Sequence, residues 1–360
     1  MSANGYAVIG GFLELLRFGA ASVAVVLGAR TLCFSSRASR SRLENSSYLS
    51  ALLAYLLLGL ALASWIVLYL LLDSFVPESP GAMCIYGVTR IGDGSPGLTG
   101  WLPSLIAGVQ IMKPVLVFVA GAVVVLYWLY RRAGTPTLLP RFVAGLLALG
   151  VLSLGDVAAE TTYLLVPKRD VPLTTGCCSP AAADLRSAIP AENDDTRWLP
   201  PAYFACHLLM VGLLWCGGRW EGYPRTAVVV RASRLPRGSG SDPHDAPPSA
   251  TWLLTALAAS VATLYVSARF LVDVAAPALL HLPYHHCLYD MVGTVKESAV
   301  AIGLLLWGTF CVGWACVAAW CGRSPDTLPF LASDIRQFWN WALLGYLGSA
   351  AMFAVDLWLA

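Results

Sequence analysis

The chain has 360 residues, 58% hydrophobic and 12% charged, with a formal net charge of +2 and a mean hydropathy of +0.68. An ordinary soluble domain carries about twice that charged fraction, so a soluble enzyme is excluded. The basic residues are scattered through the loops rather than gathered in one patch, so nucleic acid is not an expected partner.

Eight apolar stretches are each long enough to cross about 30 Å of hydrocarbon. They cover residues 6–33, 48–76, 103–130, 141–166, 200–218, 250–279, 294–320 and 337–358. Lipid offers the backbone no hydrogen-bond partners, so each is predicted to be helical. The fold class is therefore an all-α integral membrane protein whose first partner is the lipid bilayer. The first stretch lacks a basic leader and is interrupted by Glu14 and Arg17, unlike a cleaved signal peptide.

Ionisable residues recur along these spans. The first holds Glu14 and Arg17, the third Lys113 beside Gln110, and the fourth Asp156 and Glu160. The fifth holds His207, the sixth Arg269 and Asp273, and the seventh opens on Lys296 and Glu297. A charge within a span costs ~2.5–3.5 kcal/mol on insertion, so each calls for a reason. Glu14/Arg17 are spaced i,i+3, and Asp156/Glu160 and Arg269/Asp273 i,i+4, so each pair shares a helix face. All lie toward one side of the membrane, whereas runs such as FVAGAVVVLYWLY (118–130) carry no charge toward the other. This pattern predicts a polar cavity open to one side only, lined by Lys113, Asp156, Glu160, Arg269 and Asp273. Asp156 and Glu160 are its candidates for proton exchange. Lys113 and Arg269 are suited to anchoring an anionic or quinone-like group. The alternative is a salt-bridge network that only locks the helices together, as in a non-catalytic subunit of a larger complex. A transporter fits less well, because the uncharged half offers no polar path.

Orientation follows from the loops. Those at 35–47, 131–141, 219–249 and 322–336 carry thirteen Lys and Arg; those at 77–102, 167–199 and 280–293 carry five. The basic set is expected in the cytoplasm, which puts both termini outside the cytoplasmic (inner) membrane. Trp101, Trp198 and Trp339 are expected at the membrane–water boundaries.

The two halves echo each other in order. ELLRFG (14–19) matches HLLMVG (207–212), and LLDSFVP (71–77) matches LVDVAAP (271–277). CIY (84–86) matches CLY (287–289), TPTLLP (135–140) matches SPDTLP (324–329), and LLALG (146–150) matches LLGYLG (343–348). Two parallel four-helix repeats, 1–166 and 200–360, are expected, joined by an outer segment 167–199. Within the second, residues 232–249 read as a flexible cytoplasmic loop.

Four of ten cysteines, Cys84, Cys177, Cys178 and Cys287, fall in the outer loops. In an oxidising compartment they suit two disulfides, with Cys84 and Cys287 each bonded to one of the vicinal pair. A further reading is redox exchange, with the vicinal Cys177 and Cys178 as the exchanging pair if they are not held in structural bonds. In layout this resembles the quinone-coupled disulfide-forming membrane enzymes, which carry a C-x-x-C that these loops lack. The decapeptide HLPYHHCLYD (281–290) adds His281, His285 and His286, which with thiolates suit Zn or Cu. His207 could serve as a haem ligand. The expectation as a whole is an outward-facing site beneath cysteine-bearing loops. It would support redox or metal-linked chemistry, with an extracytoplasmic redox protein or membrane complex as partner.

Overall fold

The structure is a computed structural model, and it describes residues 5–34, 40–79, 82, 84–92, 97–166, 196–219, 248–282 and 285–359. Cys177, Cys178 and most of the 232–249 loop lie outside these residues. The described residues form helices and no strands. In chain order the α-helices are α1 (Gly5–Phe34), α2 (Arg40–Phe75), α3 (Ile85–Thr89), α4 (Leu102–Ala133), α5 (Leu139–Leu165) and α6 (Leu199–Arg219). They continue with α7 (Ala250–Phe270), α8 (Ala276–Leu279), α9 (Leu288–Thr294), α10 (Lys296–Cys321) and α11 (Leu328–Leu359).

Eight spans are long and apolar enough to cross a membrane, matching the eight predicted stretches in number and order. The sixth is composite: α7 widens into a π-turn, Leu271–Ala275, before α8. Pro277 supplies the reason, since its ring clashes with, and its nitrogen cannot bond, the carbonyl of Asp273. The eighth begins at Leu328, nine residues before the apolar stretch does. Its polar first turns are held by Asp334, which receives Arg132 Nη1 of α4 at 2.5 Å. That extension explains a misplaced tryptophan. Trp101 and Trp198 are 74% and 50% exposed, but Trp339 is 1% exposed because it stands three turns inside the helix rather than at its end.

The helices pack as two bundles of four. In the first, α1 touches α2, α2 touches α4, α4 touches α5, and α5 returns to α1. In the second, α6, α7, α10 and α11 close the same cycle. The bundles meet where α4 packs on α10. There a Cβ on Gly121 would stand 2.3 Å from the Trp314 ring, and one on Gly313 would stand 2.5 Å from the Phe118 ring. Each glycine thus makes room for an aromatic ring of the opposite helix. Trp314 Nε1 also donates to the Phe118 carbonyl at 2.9 Å.

The echoed turns TPTLLP and SPDTLP face one another at one end of the bundles. Thr135 Oγ1 donates to Asp326 at 2.8 Å, and Arg141 Nη1 to the Cys321 carbonyl at 2.7 Å. The opposite end carries α3, α9, the first turn of α1 and the last turn of α11, and is called here the terminal face.

Candidate functional site

A buried ionic cluster lies inside the first bundle. Arg17 of α1 donates to Glu14 one turn earlier at 2.6 Å, to Ser64 of α2 at 2.9 Å, and to Asp156 of α5. Lys113 of α4 donates to Ser64 at 2.7 Å, to Asp156 at 2.8 Å, and to Glu160. The Ser64 hydroxyl in turn donates to Glu14 at 3.1 Å. All four helices are thereby tied at one level, and the charged side chains are between 0 and 5% exposed. Three carboxyl groups meet two cations, and Glu14 Oε2 and Asp156 Oδ1 are buried without a partner.

The layers on either side of this level are apolar. Along α2, Ser64 separates Ala61 from Leu68; along α4, Lys113 separates Leu116 from Val109; along α5, Asp156 and Glu160 separate Leu149 from Tyr163. The cluster is therefore packed between two hydrophobic cores. A shallow apolar groove of about 360 Å³ runs between α4 and α5 nearer the terminal face, lined by Trp101, Leu102, Ser104, Leu105, Thr162 and Val166. None of the ionic groups lines it.

The remaining charged candidates stand elsewhere. Arg269 bonds Asp273 one turn on, at 2.7–2.8 Å, as a separate pair whose side chains are 56% and 20% exposed. Lys296 and Glu297 are exposed at the start of α10. His207 of α6 is buried. Its Nδ1 bonds the Tyr203 carbonyl at 2.9 Å, and its ring packs on Tyr203 at 4.2 Å and Tyr346 at 5.8 Å.

A second constellation sits at the terminal face, where the bundles come together. Cys84 immediately precedes α3 and Cys287 immediately precedes α9, so the echoed CIY and CLY segments approach one another. Their Sγ atoms are 3.5 Å apart, with Cys287 donating to Cys84. A disulfide is about 2.05 Å long, and among the described cysteines none is formed. The expected bonds to Cys177 and Cys178 lie outside the described residues. Both thiols are buried, and a carboxylate oxygen of Asp290, one turn after Cys287, joins them in a group whose ligand atoms all lie within 4.8 Å of one another.

The three histidines of the decapeptide part company here. His285 is buried and bonds Asp290 Oδ2 through Nε2 at 2.7 Å. His286 bonds the Val272 carbonyl through Nδ1 at 3.0 Å, turned toward α7. His281 is exposed, at a left-handed φ of 53°. Burial, and after it the nearby Cys84, raises the Asp290 carboxyl above the ordinary range, while His285 pulls it back. Burial likewise pushes the Tyr289 phenol up to about 12. That ring stacks on Tyr69 of α2 at 6.2 Å.

Sequence reasoning had named both cysteines but not their direct approach, and had passed over Asp290 and Ser64. The i,i+3 spacing of Cys287 and Asp290 was a legible signal for the first; a lone serine in an apolar helix gave none for the second. Compared with protein-family models, with curated proteins and with solved structures, the chain matches none.

Proposed function

We propose that the chain is a multi-pass protein of the cytoplasmic membrane, with its terminal face and both chain ends on the extracytoplasmic side. There it supports metal-linked or redox chemistry on an extracytoplasmic or membrane-soluble substrate. The observation that carries this reading is the 3.5 Å approach of Cys84 and Cys287, 203 residues apart in sequence. At that distance the two sulfurs can share one ligand or be oxidised to one disulfide, which two apolar side chains could not. The basic bias of the opposite loops supports the sidedness. The ionic cluster acts as a scaffold that fixes the first bundle beneath this site. We further propose that the two bundles descend from one duplicated unit, a reading supported by their equal cycles of helix contacts and the meeting of CIY with CLY and of TPTLLP with SPDTLP.

Sidedness is tested with a membrane-impermeant maleimide on intact cells, in a background lacking Cys177, Cys178 and the exposed Cys33, Cys216 and Cys321. His281→Cys is expected to label from outside, and Thr135→Cys only after permeabilisation. The reverse pattern would overturn the orientation and the function with it.

A second reading is favoured by the carboxyl excess of the ionic cluster. Three acids against two cations, with two carboxyl oxygens unpartnered, leave a place for an exchangeable proton. An infrared carboxylic-acid band that vanishes in Glu14→Gln, Asp156→Asn or Glu160→Gln supports it; a spectrum identical in all three variants removes it.

A further inference from the structure

We infer that Cys84, Cys287 and Asp290 bind a single thiophilic divalent cation of the Zn2+ class, with His285 holding the carboxylate in place. The inference deepens the extracytoplasmic reading by naming its ligand, but the site itself depends only on the geometry of the terminal face.

The sulfur spacing is the first argument. At 3.5 Å the Sγ atoms are far beyond a covalent bond of about 2.05 Å. Two thiolates on one tetrahedral zinc, each about 2.3 Å from the metal, stand about 3.8 Å apart. The observed spacing is therefore close to that of two ligands of one ion. The Asp290 oxygen completes a triangle in which no edge exceeds 4.8 Å, and a turn of that side chain that brings the oxygen to about 3.5 Å from each sulfur sets all three donors on one tetrahedral ion.

The chemistry of the donors is the second. Two thiols and one carboxylate favour Zn2+ over Mg2+ or Ca2+, which take oxygen ligands almost exclusively. Three protein ligands leave the fourth tetrahedral position for water or substrate. The carboxylate side chain is 39% exposed while the thiols are buried, so the ion has an aqueous approach through Asp290. On binding, the two S–H protons leave to solvent and two Zn–S bonds form, with no change of oxidation state.

Charge is the third. Among the described residues Asp290 forms one ion pair, with His285, and no Lys or Arg joins it. Asp73 is a further carboxyl near enough to act on Asp290. His285, bonded to the ligand oxygen's carboxylate at 2.7 Å, occupies the position of a residue that orients a metal ligand.

The test uses the full-length protein in detergent, stripped by a chelator under reducing conditions and titrated with Zn2+, or with Co2+ as a coloured substitute. The expected result is one equivalent bound, with thiolate-to-cobalt charge-transfer absorption. Cys84→Ser and Cys287→Ser should each abolish that absorption, and Asp290→Asn should weaken binding. His285→Ala should weaken it about 10–100-fold while the absorption is retained at saturating metal. Helical circular dichroism and elution position identify variants that fail to fold. Asp290→Asn and His285→Ala, at the margin of the site, keep the test open if the serine variants do fail. Absence of the absorption in wild-type protein whose two thiols titrate as reduced would overturn the inference. So would absorption that survives both serine substitutions, or a Cys84–Cys287 disulfide in protein isolated without air. Impermeant labelling does not depend on metal, so a wrong orientation and a wrong ligand produce different failures.

Discussion

The centres of the two bundles sit in equal cycles of four helices and are filled with opposite chemistry. In the first, Arg17 and Lys113 reach Asp156, Glu160 and Ser64 and tie all four helices by charge. In the second, Tyr346 takes the gathering role with a neutral hydroxyl, 2.8 Å from Ser260 of α7 and 3.2 Å from Thr309 of α10. Around it Tyr203 stacks on Phe270 at 4.1 Å and covers His207. The difference teaches how the same frame tolerates different fillings. Ions in a dry layer must all be satisfied together, whereas rings and hydroxyls contribute one contact at a time. The first centre is accordingly rigid and easily broken, and the second is forgiving.

The largest effect is expected from Lys113→Met, which leaves Asp156 and Glu160 sharing Arg17. Removing one partner of a buried pair costs about 3–5 kcal/mol, read as a lowered midpoint in denaturant unfolding of the detergent-solubilised protein. Adding Asp156→Asn to that variant should recover part of the loss; a double variant as unstable as the sum of the singles would mean the two groups do not interact. Gly121→Leu comes next. It forces the Trp314 ring off α4, and overpacking of this kind costs about 1–3 kcal/mol, so the bundles should unfold in two steps instead of one.

In the second bundle Tyr346→Phe should cost only about 0.5–1.5 kcal/mol, the usual worth of a neutral hydrogen bond. A loss as large as that of Lys113→Met would erase the contrast between the centres. His207→Phe should stay below about 1.5 kcal/mol, since ring packing is retained. Smallest of all, Arg269→Ala should change stability by less than about 1 kcal/mol and lose what effect it has at high salt, because the arginine of its pair with Asp273 is more than half exposed.

Much of this arrangement was legible in the sequence because lipid imposes a strict rule on the backbone. Eight apolar stretches had to be helices, and their edges erred where side-chain pairing extends a helix past its apolar run, as Asp334 and Arg132 do for α11. Spacing placed Asp156 and Glu160 on one face correctly, since both receive Lys113. Spacing could not say that Arg269 and Asp273, with the same i,i+4 pattern, look outward, because a helix's own periodicity carries no information about which neighbour covers it. The same blindness applies to Cys84 and Cys287. Their echoed sequences did not say that they meet; the packing of α4 on α10 and of α3 on α9 brings them together.

The account stands on the meeting of these two cysteines from opposite halves of the chain. A protease site inserted within residues 220–247 allows the halves to be cut apart after mild oxidation in metal-stripped membranes. The account predicts that the two fragments then migrate as one species without reductant and as two with it, and that Cys84→Ser or Cys287→Ser removes the joined form. Fragments that separate fully in the absence of reductant, from protein whose thiols have been oxidised, would contradict it.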